Sequence, residues 1–278
     1  MPPQRQEHQP GSEKEMDPKP VYDDDSKGSG RLKDKVAIIT GGDSGIGRAV
    51  AIAFAKEGAD VIIVYLNEHD DAKETASSVG KYGKEPFLLP IDISNEDNCK
   101  RVIEETIKNF GKLDILVNNA GIQYDRKNIE DITAEQWDHT FRVNLYAQFY
   151  MCKYAMPHLK EGSCIINTAS INAFKGNQEL MDYSSTKGGI IAFTRSLALS
   201  VAKKGIRVNA VAPGPVWTPL IPSSFPEEKV KQFGKDVPMG RPGQPVEIAP
   251  SYVFLASKDA SYITGQTIHP NGGAVVNA

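Results

Sequence analysis

The chain has 278 residues, 40% hydrophobic and 24% charged, which is enough to bury the core of one α/β domain or two small ones. A formal net charge of −3 argues against a nucleic-acid or acidic-membrane partner. No apolar run approaches the roughly 20 residues of a membrane helix, and the first thirty residues lack the apolar core of a signal peptide. We therefore expect a cytoplasmic protein with no membrane and no nucleic-acid partner.

Residues 1–33 differ in composition from the rest of the chain. Five prolines fall in the first twenty positions, residues 23–25 are all acidic, and aliphatic side chains are almost absent. Such a segment cannot bury enough apolar surface to offset the entropy lost on ordering. The sequence predicts a flexible N-terminal arm that is mobile or loosely draped, or alternatively one that packs on a neighbouring subunit. Residues 34–278 are predicted to form the folded domain.

Short β-branched runs alternate with segments of helical period from Val36 onward. Predicted strands cover residues 36–40, 61–65, 87–91, 113–117, 164–167, 206–210 and 267–268. Predicted helices cover residues 46–57, the polar segment after the second strand, a capping-box-like start at Ser94 through Phe110, and residues 134–158 and 183–203. Apolar strands separated by helices predict an α/β fold, a single Rossmann-type doubly wound parallel sheet of about seven strands with helices on both faces.

A glycine-rich turn, Thr40-Gly-Gly-Asp-Ser-Gly-Ile-Gly47, follows the first predicted strand and opens a helix. Glycines let the backbone turn sharply and approach a pyrophosphate, while the unpaired N–H groups of the helix N-terminus receive the anion. The position predicts a dinucleotide site containing Gly41, Asp43, Ser44, Gly45, Ile46 and Gly47. An ordinary glycine-rich turn is the alternative that this segment alone leaves open.

Further motifs follow in chain order: Asn118-Asn-Ala-Gly121, Asn144, the trio Ser170, Tyr183 and Lys187, and Pro213-Gly214. With the glycine-rich turn, they resemble the short-chain dehydrogenase/reductase family over about residues 34–275. The chain also resembles the glucose/ribitol dehydrogenase-like, or general-stress, branch of the family. This finer resemblance lies in the residues of the turn, in Tyr65-Leu-Asn-Glu68 and in the N-terminal extension. The resemblance implies an oxidoreductase that transfers a hydride between a nicotinamide cofactor and a small-molecule alcohol or carbonyl substrate.

Oxidation of an alcohol requires a base beside the nicotinamide ring. Tyr183 is a weak acid, with a usual pKa of about 10, but Lys187 lies four residues later and would share its helix face. An adjacent ammonium favours the phenolate. The resemblance implies that Lys187 also bonds the nicotinamide ribose, that Ser170 orients the substrate oxygen and that Asn144 steadies a water contacting the lysine. Alone, they would be a surface Tyr/Lys pair, a loop serine and a helix asparagine.

Cofactor contacts are also implied by the resemblance. Asp92 and Ile93 would flank the adenine, Asn118 and the backbone of Ala120 and Gly121 would lie on the adenosine side, and Val216 and Thr218, after Pro213 and Gly214, would face the nicotinamide amide and phosphates.

The type of nicotinamide cofactor depends on charge near the adenosine ribose. In the family, Asp in place of Tyr65 would mark NAD, and a basic residue in place of Ser44 or Leu66 would mark NADP; this sequence has neither. An unpaired 2′-phosphate carries more charge than an unpaired hydroxyl. We therefore expect NAD rather than NADP, with Asn67 or Glu68 near the ribose.

Prolines between Pro213 and Pro245 flank a short polar helical stretch, which is typical of a lid over the substrate. The pocket candidates are polar and aromatic and would suit a sugar, a polyol or a small ketone: Asn172, Phe174, Gln178 and Trp217. An NADPH-dependent carbonyl reductase and a non-catalytic cofactor-binding regulator are the alternatives. The resemblance implies a homotetramer. No metal site is expected, since the five histidines lack metal-type spacing.

Overall fold

Alternating side chains along β-branched strands build a sheet that is buried on both faces. The computed structural model describes residues 1–276 and contains, in that range, a sheet of seven parallel strands in the order β3-β2-β1-β4-β5-β6-β7. The strands are β1 Val36–Thr40, β2 Asp60–Tyr65, β3 Phe87–Pro90, β4 Ile115–Asn118, β5 Cys164–Thr168, β6 Arg207–Val211 and β7 Thr267–Ile268. The predicted parallel α/β sheet is confirmed.

Helices cover both faces because successive strand residues point in opposite directions. They are α1 Gly45–Lys56, α2 His69–Gly80, α3 Glu96–Phe110, α4 Ala134–Phe141, α5 Ala147–Ala155, α6 Asn172–Lys175, α7 Met181–Val201, α8 Leu220–Ser224, α9 Glu227–Gln232 and α10 Pro245–Ala256. Ala37 and Ile39 pack into the core that contains α1 and α10, whereas Ile38 packs into the core that contains α3, α5 and α7.

Two helix predictions differ from the structure in detail. The N-cap of α3 is Asn95, whose side chain accepts hydrogen bonds from the backbone N–H groups of Asp97 and Asn98, so the predicted capping role of Ser94 is wrong. The helix predicted over residues 134–158 is divided into α4, a π-helix at Arg142–Tyr146, α5 and a short 3-10 helix. The wider π turn allows the amide of Asn144 to bond a neighbouring loop, which a regular helical period does not reveal.

Residues 1–30 contact the domain at several points. Met16 is 2% exposed and packs with Trp217, Ile221 and Val230. The indole Nε1–H of Trp217 donates to the carbonyl of Pro18 at 2.8 Å. The arm is thus held against the domain by one buried methionine and by specific polar contacts. A count of its aliphatic residues does not reveal these contacts. The mobility of the arm and a contact with a neighbouring subunit stay predictions.

Glu57, directly after α1, joins the end of this arm to the domain. Its carboxylate accepts hydrogen bonds from the backbone N–H groups of Ser29 and Arg31 at 3.0 and 2.9 Å, and from the Arg31 guanidinium at 2.6 Å. Burial alone would raise the pKa of Glu57, but the hydrogen bonds from Arg31 and Ser29 lower it to about 2. The charged form is therefore the one that the fold stabilises.

Glu57→Ala is expected to lower the free energy of unfolding by about 2 kcal/mol at pH 7, because charge-assisted hydrogen bonds are lost. Glu57 has a pKa of about 2 in the fold against an ordinary 4.5, so its contribution is complete above pH 4.5 and declines as the pH falls towards 2. Urea unfolding of both proteins at pH 7 and pH 3 measures this. Glu85→Ala, which removes an exposed carboxylate, is the control. If the free energies of unfolding of wild type and Glu57→Ala differ by the same amount at both pH values, the charged carboxylate does not have this stabilising role.

Candidate active site

The strand order reverses between β1 and β4, so the loops that leave their carboxyl ends diverge and open a cleft. The cleft has a volume of about 600 Å³. Most residues predicted from the sequence line it: Gly41, Asp43, Ser44, Gly45, Ile46, Tyr65, Leu66, Asp92, Ile93, Ala120, Gly121, Ser170, Tyr183, Lys187, Pro213, Gly214, Val216 and Thr218. The others lie outside its lining: Gly47, Asn67, Glu68, Asn118 and Asn144.

The glycine-rich turn needs glycine for close backbone contact. Gly41 has φ +62°, in the region that favours glycine. A Cβ on Gly47 would lie 1.8 Å from the carbonyl oxygen of Gly41, so any side chain there would push α1 away from the turn. Gly47 therefore shapes the site from behind, while Gly45 and Ile46 bring the N-terminus of α1 to the cleft.

The loop after β4 is hydrogen-bonded to the end of β1. Thr40 Oγ1 accepts from the backbone N–H groups of Asn119 and Ala120 at 2.9 and 3.1 Å. The Asn119 amide donates to the carbonyl of Gly41 at 3.1 Å. These bonds hold Ala120 and Gly121 at the cleft wall opposite α1.

Asn118 lies outside the cleft lining, and its contact with the adenosine side of the cofactor stays a prediction. It is the last residue of β4, and its amide donates to Asn167 Oδ1 at 2.9 Å inside the protein. Because neighbouring residues of a strand point to opposite sides, the motif Asn118-Asn119 can send only one side chain towards the turn, and that residue is Asn119. Asn118 thus links β4 to β5.

The ends of β2 and β3 form one end of the cleft. Val64, Tyr65, Leu66 and Ile93 give it an apolar wall. Asn67, which is exposed, and Glu68 are not part of this wall, and their place near the ribose stays a prediction. Asp43 is 6% exposed and lines the same end, where burial raises its pKa to about 6. Two acidic residues therefore line this end, Asp43 from the glycine-rich turn and Asp92 after β3.

Tyr183 and Lys187 lie one turn apart on α7, and both are buried at the cleft wall. Lys187 Nζ lies 5.4 Å from the centre of the Tyr183 ring and donates to the carbonyl of Thr168 at 2.8 Å. Ser170, just beyond the end of β5, lines the same wall. The structure thus brings together the three side chains that the sequence predicts.

Burial dominates the acid–base properties of this pair. It raises the pKa of Tyr183 to about 12, against the opposing effect of a hydrogen bond with Ser170. Burial also lowers the pKa of Lys187 to about 7. Burial thus opposes the expected stabilisation of the phenolate by the lysine ammonium, because both charged forms are disfavoured away from water. At neutral pH the tyrosine holds its proton and can donate it to a carbonyl oxygen.

Asn144 lies behind the cleft and not in its lining. Its side chain accepts from the backbone N–H of Ile122 at 2.8 Å and donates to the carbonyl of Ile122 at 2.9 Å. A Cβ on Gly121 would lie 3.3 Å from Asn144 Oδ1 and 3.6 Å from Lys187 Nζ, so Gly121 separates the two side chains. Asn144 thus holds the loop that carries Gly121 beside the lysine.

The substrate end of the cleft differs partly from prediction. Asn172 lines it, whereas Phe174, Gln178 and Trp217 do not. Trp217 is fully buried against Met16, as a large apolar side chain tends to be, and Phe174 contacts the ring of His269. Among the lining residues that the sequence analysis did not name, several come from the arm, from the loops after β4 and β5, and from the segment 220–237: Gln9, Pro10, Gly11, Asn119, Gln123, Tyr124, Glu179, Leu180, Phe225, Lys229 and Phe233.

Within residues 1–276, no group of three or more His, Cys, Asp or Glu side chains is placed to hold a metal ion. None of the helices described there combines the length and the apolar character needed to cross a bilayer.

Known proteins resemble this chain along nearly its whole length. A family profile described as Enoyl-(Acyl carrier protein) reductase matches residues 41–275. An uncharacterized oxidoreductase of Bacillus subtilis, YhdF, is 60% identical over 276 residues, covering 99% of this chain and 96% of the relative. The glucose and ribitol dehydrogenase of Daucus carota is 54% identical over 99% of this chain and 97% of its own. An Arabidopsis thaliana relative named NADPH-dependent aldehyde reductase 1, chloroplastic, is 54% identical over 99% of this chain and 98% of its own.

A solved structure supports the same relationship. The short-chain dehydrogenase of Burkholderia cenocepacia in complex with NADP is 30% identical, with a TM-score of 0.82 over 87% of this chain and 98% of that chain. The glycine-rich turn, the Asn118-Asn-Ala-Gly121 loop and the buried trio Ser170, Tyr183 and Lys187 all lie around one cleft in this fold. The chain therefore belongs to the short-chain dehydrogenase/reductase family of nicotinamide-dependent oxidoreductases.

Proposed function

We propose that this protein is an NAD-dependent oxidoreductase that interconverts a polyhydroxylated alcohol and its carbonyl form, with Tyr183 as the acid–base residue. The observation that carries the proposal is the burial of Tyr183 and Lys187, one turn apart, at the wall that faces the glycine-rich turn. A protein that only bound the cofactor would not need a proton-transfer pair at that place.

The cleft fits a dinucleotide. Gly45 and Ile46 bring the positive end of the α1 dipole to the cleft, where a pyrophosphate would be stabilised. Leu66 and Ile93 offer the apolar surface on which an adenine ring would rest. When bound, the nicotinamide ring accepts or supplies the hydride.

The chain's own residues then handle the proton and the substrate. Tyr183 donates a proton to the carbonyl oxygen in reduction, or accepts one from the hydroxyl in oxidation. Ser170, on the same wall, binds that oxygen and orients it. Lys187, whose pKa burial lowers to about 7, exchanges protons readily near neutral pH and so can return the proton to the tyrosine.

Charge at the adenosine end supports NAD. The guanidinium of Arg48, the cation behind this end, lies 2.6 Å from Glu13, 3.6 Å from Asp71 and 3.5 Å from Glu74. Three carboxylates therefore surround one guanidinium, and none of the described lining residues at this end is basic. A 2′-phosphate would meet the buried Asp43 without a free cation, whereas a 2′-hydroxyl could donate to it.

The second candidate is an NADPH-dependent carbonyl reductase that uses the same residues. The name of the Arabidopsis relative and the NADP bound to the Burkholderia enzyme favour it. For the substrate, the name of the carrot relative and the polar lining residues Gln123, Asn172 and Glu179 support a sugar or polyol.

Exposed apolar side chains support a homotetramer built on helix faces. Trp137 on α4 is 41% exposed, Phe149 on α5 47% and Leu199 on α7 84%. Water disfavours such a set on one side of a monomer. The three cysteines are free and buried, which supports a cytoplasmic location, where thiols stay reduced.

Cofactor choice is tested by thermal unfolding with NAD, NADH, NADP and NADPH. A ligand about a hundredfold above its Kd stabilises the fold by roughly 2.7 kcal/mol, and we expect the larger shifts with NAD and NADH. Asp43→Asn should reduce the preference for NAD and NADH over NADP and NADPH, because it removes the charge that repels a 2′-phosphate. Asp97→Asn, on the exposed surface of α3, is the control. Larger shifts with NADP and NADPH would favour the reductase.

Tyr183→Phe tests the catalytic assignment. We expect kcat to fall about a thousandfold on the best substrate from a panel of polyols, sugars and aldehydes, because no other group donates the proton. NADH binding, measured by fluorescence titration, should stay within about twofold of wild type. Tyr262→Phe, at a fully exposed tyrosine, is the matched control. Near-normal turnover by Tyr183→Phe would contradict the assignment.

Light scattering tests the assembly. The expected mass is about four times the chain's 30.3 kDa. Leu199→Lys should lower it by placing a charge in a helix contact, whereas Met239→Lys, at an exposed methionine outside those helices, should leave it unchanged. A monomeric mass for the wild type would refute the tetramer.

A further inference from the structure

The arm crosses three walls of the cleft through residues 6–16, which we name the strap. The Gln6 backbone N–H donates to the carbonyl of Pro222 in α8 at 2.8 Å. The Gln9 amide donates to the carbonyl of Gln123 in the loop after β4 at 2.7 Å. Glu13 reaches the glycine-rich turn. The strap therefore contacts elements on both sides of the cleft, although the proposed chemistry uses none of its side chains.

Glu13 is a deeply buried residue of the strap, with 1% of its surface exposed. One carboxylate oxygen accepts from the backbone N–H of Gly45, the first residue of α1, at 2.6 Å. The other accepts from the Arg48 guanidinium at 2.6 Å. Burial raises the pKa of Glu13 to about 7, whereas Arg48 and the Gly45 hydrogen bond act in the opposite direction and favour the carboxylate at this helix end.

Arg48 extends this contact into the turn itself. Its Nε and Nη2 donate to the carbonyl of Asp43 at 3.1 and 2.9 Å, and its side chain is completely buried. Glu13 and Arg48 together fix two positions of the turn, one at Asp43 and one at Gly45. Glu13, a buried residue of the arm, is thus connected to the backbone that would hold a pyrophosphate.

The strap touches the cleft from the other side as well. Gln9, Pro10 and Gly11 line it. A Cβ on Gly11 would lie 2.5 Å from the carbonyl oxygen of Pro219 and 2.9 Å from Ser223 Cβ, so the strap presses directly on the start of α8. Glu13 itself is outside the cleft lining, and its carboxylate meets the turn at the Gly45 N–H.

We propose that Glu13 is a positioning residue for the cofactor, which holds the glycine-rich turn from outside the cleft so that docking of the strap and binding of the dinucleotide favour each other. The inference rests on the proposed function, since it needs a cofactor in this cleft. Coupling is reciprocal: if the docked strap tightens cofactor binding, the cofactor must stabilise the docked strap by the same factor.

Equilibrium binding of NADH, without substrate, tests the first half. Glu13→Ala should raise the Kd about tenfold, within the usual range of coupling. Glu13→Gln, which can still accept the Gly45 hydrogen bond but not pair with the charge of Arg48, should raise it less. Glu15→Ala is the matched control, since Glu15 is an exposed carboxylate in the same 3-10 helix. Asp71 and Glu74 still face Arg48 in the variants, so we expect the domain to fold.

Limited proteolysis tests whether the cofactor stabilises the docked strap, and the wild-type protein alone gives the first answer. Trypsin can cut after Arg5 and Lys14, both exposed, when the strap leaves the domain. Saturating NADH should slow cleavage of the wild type about tenfold, and should protect Glu13→Ala less.

The outcomes separate the two ideas. Wild-type protein that binds no nicotinamide cofactor would overturn the proposed function and this inference together. Wild-type binding with an unchanged Kd in Glu13→Ala, and no protection of the strap, would overturn the inference alone. Tighter binding by Glu13→Ala would overturn it as well, by showing that the strap competes with the cofactor. If Glu13→Ala does not fold, Glu13→Gln and the wild-type protection decide.

Discussion

The hydrogen bonds between the end of β1 and the loop after β4 hold the two sides of the cleft in register. Thr40 accepts two backbone N–H groups from that loop, and Asn119 returns a bond to Gly41. The strand order reverses at this junction, so no ladder bond joins the two diverging loops beyond it. Together with the ladder between β1 and β4, these contacts help to set the separation between α1 and the wall of α7 that carries Tyr183.

Burial determines the pKa values of Tyr183 and Lys187 at the opposite wall. Away from water, the charged forms of Tyr183 and Lys187 are both disfavoured, which moves the tyrosine pKa up and the lysine pKa down. The pair thus rests with the proton on the tyrosine at neutral pH. Attraction between an ammonium and a phenolate, which the spacing of the residues suggests, is the smaller effect until other charges enter the cleft.

Local patterns predicted the sheet and most helices, because strand alternation depends on neighbouring residues, and the motifs of the family resemblance supplied part of the cleft lining. The differences arise where distant contacts decide. Asn118 turns inward to Asn167, Asn144 is placed by a π turn, and Trp217 is covered by the arm. The buried role of Glu13 could not be inferred, since its partners Gly45 and Arg48 lie far along the chain and its surroundings are polar. Composition indicates how much apolar surface a segment offers, but not which specific polar contacts it makes.

The arm also has a consequence for the order of folding. A ribosome makes residues 1–30 before Trp217, which bonds Pro18 and follows it by 199 residues. Contacts of such long separation form late, since the intervening chain must first be ordered. Residues 1–30 would thus be made before the residues that they contact but settle after them, and the finished cleft would appear only when the two segments have met.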